Sequence, residues 1–285
     1  MEVGDEVIRR TPPAAPRSRK ASEPQSYVSM SRRHSEAARG CVRVTATNIV
    51  QQRQIVKVLD HQEVLSQLNA ICAHLDNTLS QEKYQRLVSL PVFEKTQSSF
   101  LERFGFNVAR IAFGRIGVKV SAGRVPEHHI VGIYPGVVYR PGEPIFLRSI
   151  ANSYVFRCSD GIMLDGNNRS LSKVLYSSAC YRERIGALLT CDLTWLSRSP
   201  ANPLNIGQYI SCQNKDVSPA NVAYQEFDLP VEDFPVQFRR FLPNVPYSPS
   251  NHEPILKYLR LVVLVSLREI EVDEELFASY FTIPL

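Results

Sequence analysis

Beyond Gly105 the chain breaks into short runs rich in Val, Ile, Leu, Tyr and Phe, each bounded by glycine or proline, and this punctuation constrains the fold more than any other feature. The runs cover 109–120, 130–139, 153–158, 161–165, 209–212, 221–227 and 259–267. Branched and aromatic side chains suit a pleated, half-buried surface, whereas Pro cannot donate to a ladder. The pattern therefore predicts a mostly-β domain of small sheets accompanied by helices, an α+β class.

The helices are expected upstream, over 48–108. Val50, Leu59, Val64, Leu65, Leu68, Ile71, Cys72, Leu75 and Leu79 follow three-four spacing, which predicts an amphipathic helix over 47–77. A second is expected over 81–90, ended by Pro91, and a third over 92–103. The apolar stripe suits packing against the following sheet, or a partner. His61 and His74 read as ordinary helix histidines. Residues 1–47, with Thr11-Pro12-Pro13-Ala14-Ala15-Pro16, lack the pattern of a core and read as a disordered basic tail. Ser22 and Ser35 each lie three residues after a basic residue, a spacing that would present phosphoserine to a reading adaptor; solvated spacer is the plainer reading. Between 168 and 206 lies an insert with Trp195 and the basic residues Arg182, Arg184 and Arg198.

The formal charge is +5, but residues 1–48 hold nine Lys/Arg against five Asp/Glu, a net +4, leaving +1 for the other 237. A nearly neutral body is no nucleic-acid-binding surface. No apolar run approaches the roughly 20 residues that span a bilayer, and the N-terminus has no signal-peptide core. The six cysteines are widely spaced with no Cys-x-x-Cys, which predicts free thiols, no structural zinc and an intracellular protein of nucleus or cytoplasm.

Three segments in order carry a family resemblance. The terminal Arg268-Glu269-Ile270-Glu271-Val272-Asp273-Glu274-Glu275-Leu276-Phe277-Ala278-Ser279-Tyr280 resembles the closing motif of SET-domain methyltransferases. Tyr134-Pro135-Gly136 is similar to the family's Tyr-x-Gly, and Gly207-Gln208-Tyr209-Ile210-Ser211-Cys212 with Ala220-Asn221-Val222-Ala223-Tyr224 to its Asn-His-containing motif. The resemblance covers about 109–285. It implies a SET domain with a threaded C-terminal segment, in which the 168–206 insert helps to shape a substrate groove.

It further implies transfer of methyl groups from S-adenosyl-L-methionine to a protein lysine, with no metal. Tyr280 takes the place of the catalytic tyrosine, and Tyr134 and Tyr224 those of channel walls. Phe281, next to Tyr280, is expected to line that channel and to belong with the cofactor-binding residues. Ile116, Gly117, Ser211, Cys212 and Asn221 fall where the family binds its cofactor. The chain departs from the pattern at Arg115, which replaces a glycine of the loop Gly114-Arg115-Ile116-Gly117, at Lys119, which replaces an aromatic residue, and at Ser211-Cys212, which replaces Asn-His. Those departures keep open a second reading, a SET-fold interaction scaffold with weakened or lost cofactor binding. A third is an unrelated β-domain binding protein.

Overall fold

The computed structural model describes residues 58–80, 90–111, 116–213, 218–248 and 257–283, the side chains of 90, 91, 148 and 280–283 excepted. The tail with Ser22 and Ser35, residues 81–89, Gly114 and Arg115 lie outside the described residues.

Helix α1, His61–Leu79, starts later than the spacing predicts. Asp60 caps it: its carboxylate accepts from Glu63 N at 2.8 Å while the Glu63 carboxylate accepts from Asp60 N at 2.8 Å, a reciprocal box that fixes the first turn. Leu59 therefore precedes the helix rather than belonging to it. Val64, Leu68, Ile71, Cys72, Leu75 and Leu79 form its buried stripe. Helix α2, Leu90–Phe104, carries Pro91 in its first turn, where backbone N–H groups lack intrahelical partners. The expectation that Pro91 ends a helix is thus corrected.

Eleven strands are described in three sheets. β1 (Phe106–Arg110) and β2 (Val118–Gly123) form an antiparallel pair, so the run expected over 109–120 is a hairpin and not one strand. The five-stranded sheet has the order β3 (Ile130–Ile133), β10 (Tyr258–Ser266), β8 (Val222–Pro230), β11 (Phe277–Ile283), β7 (Ser211–Cys212). The last strand lies parallel between two strands that are consecutive in sequence, which is the threaded arrangement expected of a SET fold. The four-stranded sheet runs β5 (Val155–Arg157), β6 (Met163–Asp165), β4 (Gly136–Tyr139), β9 (Asn244–Pro246).

The helices pack on this body. The Gln225 amide accepts from Leu59 N and donates to Leu59 O, at 3.1 and 2.8 Å, and Gln67 does the same between Ile130 N and His128 O. A short helix α3 (Phe146–Ser149) follows β4.

In the insert, α4 (Ser170–Arg182) and a 3-10 turn Thr194–Leu196 close a second small core, in which Tyr176, Cys180, Cys191 and Trp195 pack with Val137, Tyr139 and Val245. There Cys180 and Cys191 form a disulfide, with Cα atoms 5.9 Å apart, which corrects the expectation that all thiols are free. The two are 11 residues apart, and only the fold of the insert joins them. No helix among the described residues is long and apolar enough to cross a membrane.

Candidate functional site

The strand reaching Tyr134 cannot continue, because Pro135 has no N–H and Gly136 has φ +140°, a conformation that L side chains rarely adopt. A Cβ at Gly136 would also lie 2.2 Å from Asp165 O. The chain therefore leaves the five-stranded sheet at Tyr134 and enters the four-stranded one, with Tyr134 N donating to Val262 O and Gly136 N to Pro243 O. This break aims the Tyr134 ring inward. It meets Phe156 from β5, centroids 5.0 Å apart, and Tyr224 from β8 at 6.1 Å, while Phe156 and Tyr224 stand 4.9 Å apart. All three rings are buried.

Both tyrosine hydroxyls donate to backbone carbonyls, Tyr134 to Tyr154 O at 2.9 Å and Tyr224 to Gly207 O at 3.3 Å. The expected wall residues thus converge. Tyr280 and Phe281 are placed by their backbone: β11 pairs Ser279 with Ala223 and Thr282 with Tyr224, and its register shifts between them. That shift falls beside Tyr224.

The expected cofactor residues meet at the closing motif. Ser211 Oγ donates to Glu275 Oε1 at 2.8 Å and lies 3.4 Å from Ile116 O. A Cβ at Gly117 would lie 2.6 Å from that same Glu275 oxygen. Asn221 is engaged throughout: its amide nitrogen donates to Glu274 Oε1 at 3.0 Å and Glu275 O at 2.9 Å, and its oxygen accepts from Phe277 N at 2.8 Å. Arg268 also donates to Glu274, holding that carboxyl below its usual range together with Asn221. Cys212 pairs in register with Ala278. Ile116, 42% exposed, forms the outer edge.

Arg110, Tyr154 and Tyr209, to which the motifs give no role, connect to the aromatic cluster through Tyr154 O, which accepts the Tyr134 hydroxyl. The Arg110 guanidinium stacks 4.0 Å over the Tyr209 ring, whose edge meets Tyr154 at 6.1 Å. Burial raises the Tyr154 hydroxyl above its usual range, with Tyr209 adding to the rise and Arg169 and Arg110 opposing it. Phe156 lies in the run 153–158 without a motif to mark it, and its place beside the two tyrosines needed the fold.

Two other features fall elsewhere. A cavity of about 190 Å³, lined among others by Val138, Arg140, Glu143, Asp228 and Arg260, includes none of the candidate site residues. It is smaller than the roughly 300 Å³ at which ligand pockets begin. Cys158, Asp160 and Glu226 offer ligand atoms within 4.8 Å of one another, but the Arg260 guanidinium already sits on both carboxylates. That group is an ion-pair network.

Among known proteins, SET domain-containing protein 9 of Pongo abelii is 45% identical over 193 residues, which is 66% of this chain and 68% of that protein. The protein of the same name from Homo sapiens is 45% identical over 193 residues, 66% of this chain and 62% of its own. The crystal structure of CpSET8 from Cryptosporidium is 14% identical and covers 92% of this chain and all of its own, with a TM-score of 0.33, too low to support inference. No protein-family model matches the chain.

Proposed function

Because this chain belongs to the SET-domain family, in the branch of SET domain-containing protein 9, a family of SET-type methyltransferases, we propose that it transfers methyl groups from S-adenosyl-L-methionine to a protein lysine. The observation that supports this reading is the convergence of Tyr134 and Tyr224, 6.1 Å apart and joined by Phe156, with Tyr224 on the strand β8 that pairs with β11.

S-adenosyl-L-methionine supplies, when bound, a methyl carbon on a sulfonium: the amine lone pair forms the new N–C bond, the C–S pair leaves with sulfur, and the resulting ammonium later gives a proton to water. The chain must make a lysine amine, with an ordinary pKa of about 10.4, neutral and aligned. Buried rings at Tyr134, Phe156 and Tyr224 disfavour the ammonium form by withholding water. They also pack on the methylene stem. Tyr280 is the residue assigned to orient the amine.

The rim fits the cofactor in part. Arg110 offers a cation for the carboxylate of a methionine-like group and Ile116 an exposed apolar face for a base. The side chains of Ser211 and Asn221 are held by Glu275, Glu274 and Phe277, so contacts from Ser211 and Asn221 would be made by backbone. That same engagement favours one alternative, a SET-fold scaffold whose cofactor binding is lost.

Calorimetric titration with S-adenosyl-L-methionine separates the two. An enzyme binds it, and Tyr280→Phe is expected to slow transfer about 100-fold while leaving cofactor affinity within a few-fold, because the hydroxyl acts on the reacting amine and the ring still packs. No heat of binding, with no transfer to any lysine peptide, would favour the scaffold.

A further inference from the structure

Gln208 is 7% exposed, yet neither its Nε2 nor its Oε1 has a hydrogen-bond partner. It is the only side-chain amide among the described residues with both atoms buried and unpaired. Leaving a buried donor and acceptor unmade is costly, and a group that enters from outside the chain and pairs with them would relieve that cost.

The position of Gln208 says what that group is. The point where Gly166 would carry a Cβ lies 2.8 Å from Tyr134 Cε1 and 3.2 Å from Gln208 Cβ, so the absence of a side chain at 166 lets Tyr134 and Gln208 share one space. On the other side, the residue before Gln208 accepts the Tyr224 hydroxyl. Gln208 thus shares the space at Gly166 with Tyr134, and its chain neighbour Gly207 holds the hydroxyl of Tyr224.

We propose that Gln208 is a positioning residue for the target amine, its Oε1 accepting an N–H so that the nitrogen lone pair is left to face the methyl donor. This rests on the methyltransferase reading for the identity of the amine. An amide suits the task better than its neighbours in size. A carboxylate would favour the ammonium form and delay loss of its proton, whereas an apolar side chain could not orient the nitrogen at all.

The test compares the full chain with Gln208→Leu and Gln208→Met, two apolar replacements of similar volume, so that one failing to fold leaves the other. n-Butylamine at pH 9, an isolated lysine side chain in effect, serves as probe through its effect on melting temperature. Removing two unpaired buried atoms is expected to raise the melting temperature of the free protein by about 2–4 °C. The same change should abolish the stabilisation that butylamine gives the wild type. In transfer assays it should lower kcat at least 10-fold with S-adenosyl-L-methionine affinity unchanged, and Gln208→Glu should move the pH–rate profile to higher pH.

A fall in melting temperature in both apolar variants would overturn the proposal, since the amide would then have a structural partner. So would a butylamine effect that is absent from the wild type or survives the substitution. Gln208-dependent butylamine binding in a protein that methylates nothing would instead remove the methyltransferase reading and leave the amine site standing.

Discussion

Asn221 holds the closing motif through both ends of its amide, donating to Glu274 and Glu275 O and accepting from Phe277 N. Asn221→Ala should cost about 1–3 kcal/mol in chemical denaturation, the penalty for leaving such partners unmade. Asn221→Asp keeps the acceptor for Phe277 but replaces the donor to Glu274 with a like charge, so it should be the worse of the two at pH 7. Its deficit should shrink on acidification, as one carboxylate of the pair becomes protonated; an unchanged deficit between pH 7 and 5 would contradict this. Gly136 admits no such gradation. With φ +140° and Asp165 O 2.2 Å from any added Cβ, Gly136→Ala must displace backbone, and it should destabilise by about 3 kcal/mol or more.

Among the elements, the insert is fastened by Asp192. Its N donates to Leu242 O, its O accepts the Tyr176 hydroxyl, and its carboxylate accepts from Thr194 N, the Thr194 hydroxyl and the Asn205 amide. Burial nevertheless pushes this carboxyl up to about 6, overriding the hydrogen bonds from Thr194 and Asn205. A folded-state pKa above the ordinary 3.8 means that the folded protein holds the proton more tightly than the unfolded chain. The cost of the buried charge is then fully present above about pH 6 and is relieved as pH falls from about 6 towards 4. The wild type should therefore gain stability relative to Asp192→Asn between pH 7 and pH 5, by about 1–1.5 kcal/mol. Equal denaturation midpoints for the pair at both pH values would show that the carboxyl titrates normally.

Across the whole molecule, Arg260 joins segments far apart in sequence. It donates to Glu226 at 3.0 Å, to Asp228 at 2.7 and 3.1 Å, and to Asp160 at 2.8 Å, while Ser159 donates to Glu226 through both its N–H and its hydroxyl. Burial alone would lower the guanidinium pKa, but Asp228 and Asp160 raise it beyond its usual value. Arg260→Met would leave Glu226, 1% exposed, without its counter-charge, and should cost about 3–5 kcal/mol. Adding Glu226→Gln should recover much of that loss. A double variant no more stable than the single one would mean that the packing of Arg260, and not its charge, supports this corner.

The sequence by itself determined the α+β class, the segments that hold the described strands other than β9 and β11, and the apolar face of α1, because periodicity and the Pro-Gly breaks act over a few residues. Family resemblance added Tyr134 and Tyr224, whose rings do converge. Only the tertiary structure decided the rest. The Asp60 capping box moved the start of α1 to His61, and the fold of the insert joined Cys180 to Cys191. Glu275 claimed Ser211 across 64 residues, and Gly166 brought Tyr134 against a Gln208 left without partners. Each of these depends on which groups meet once β11 lies between β7 and β8, and whether a buried polar group is paired is a property of that meeting alone.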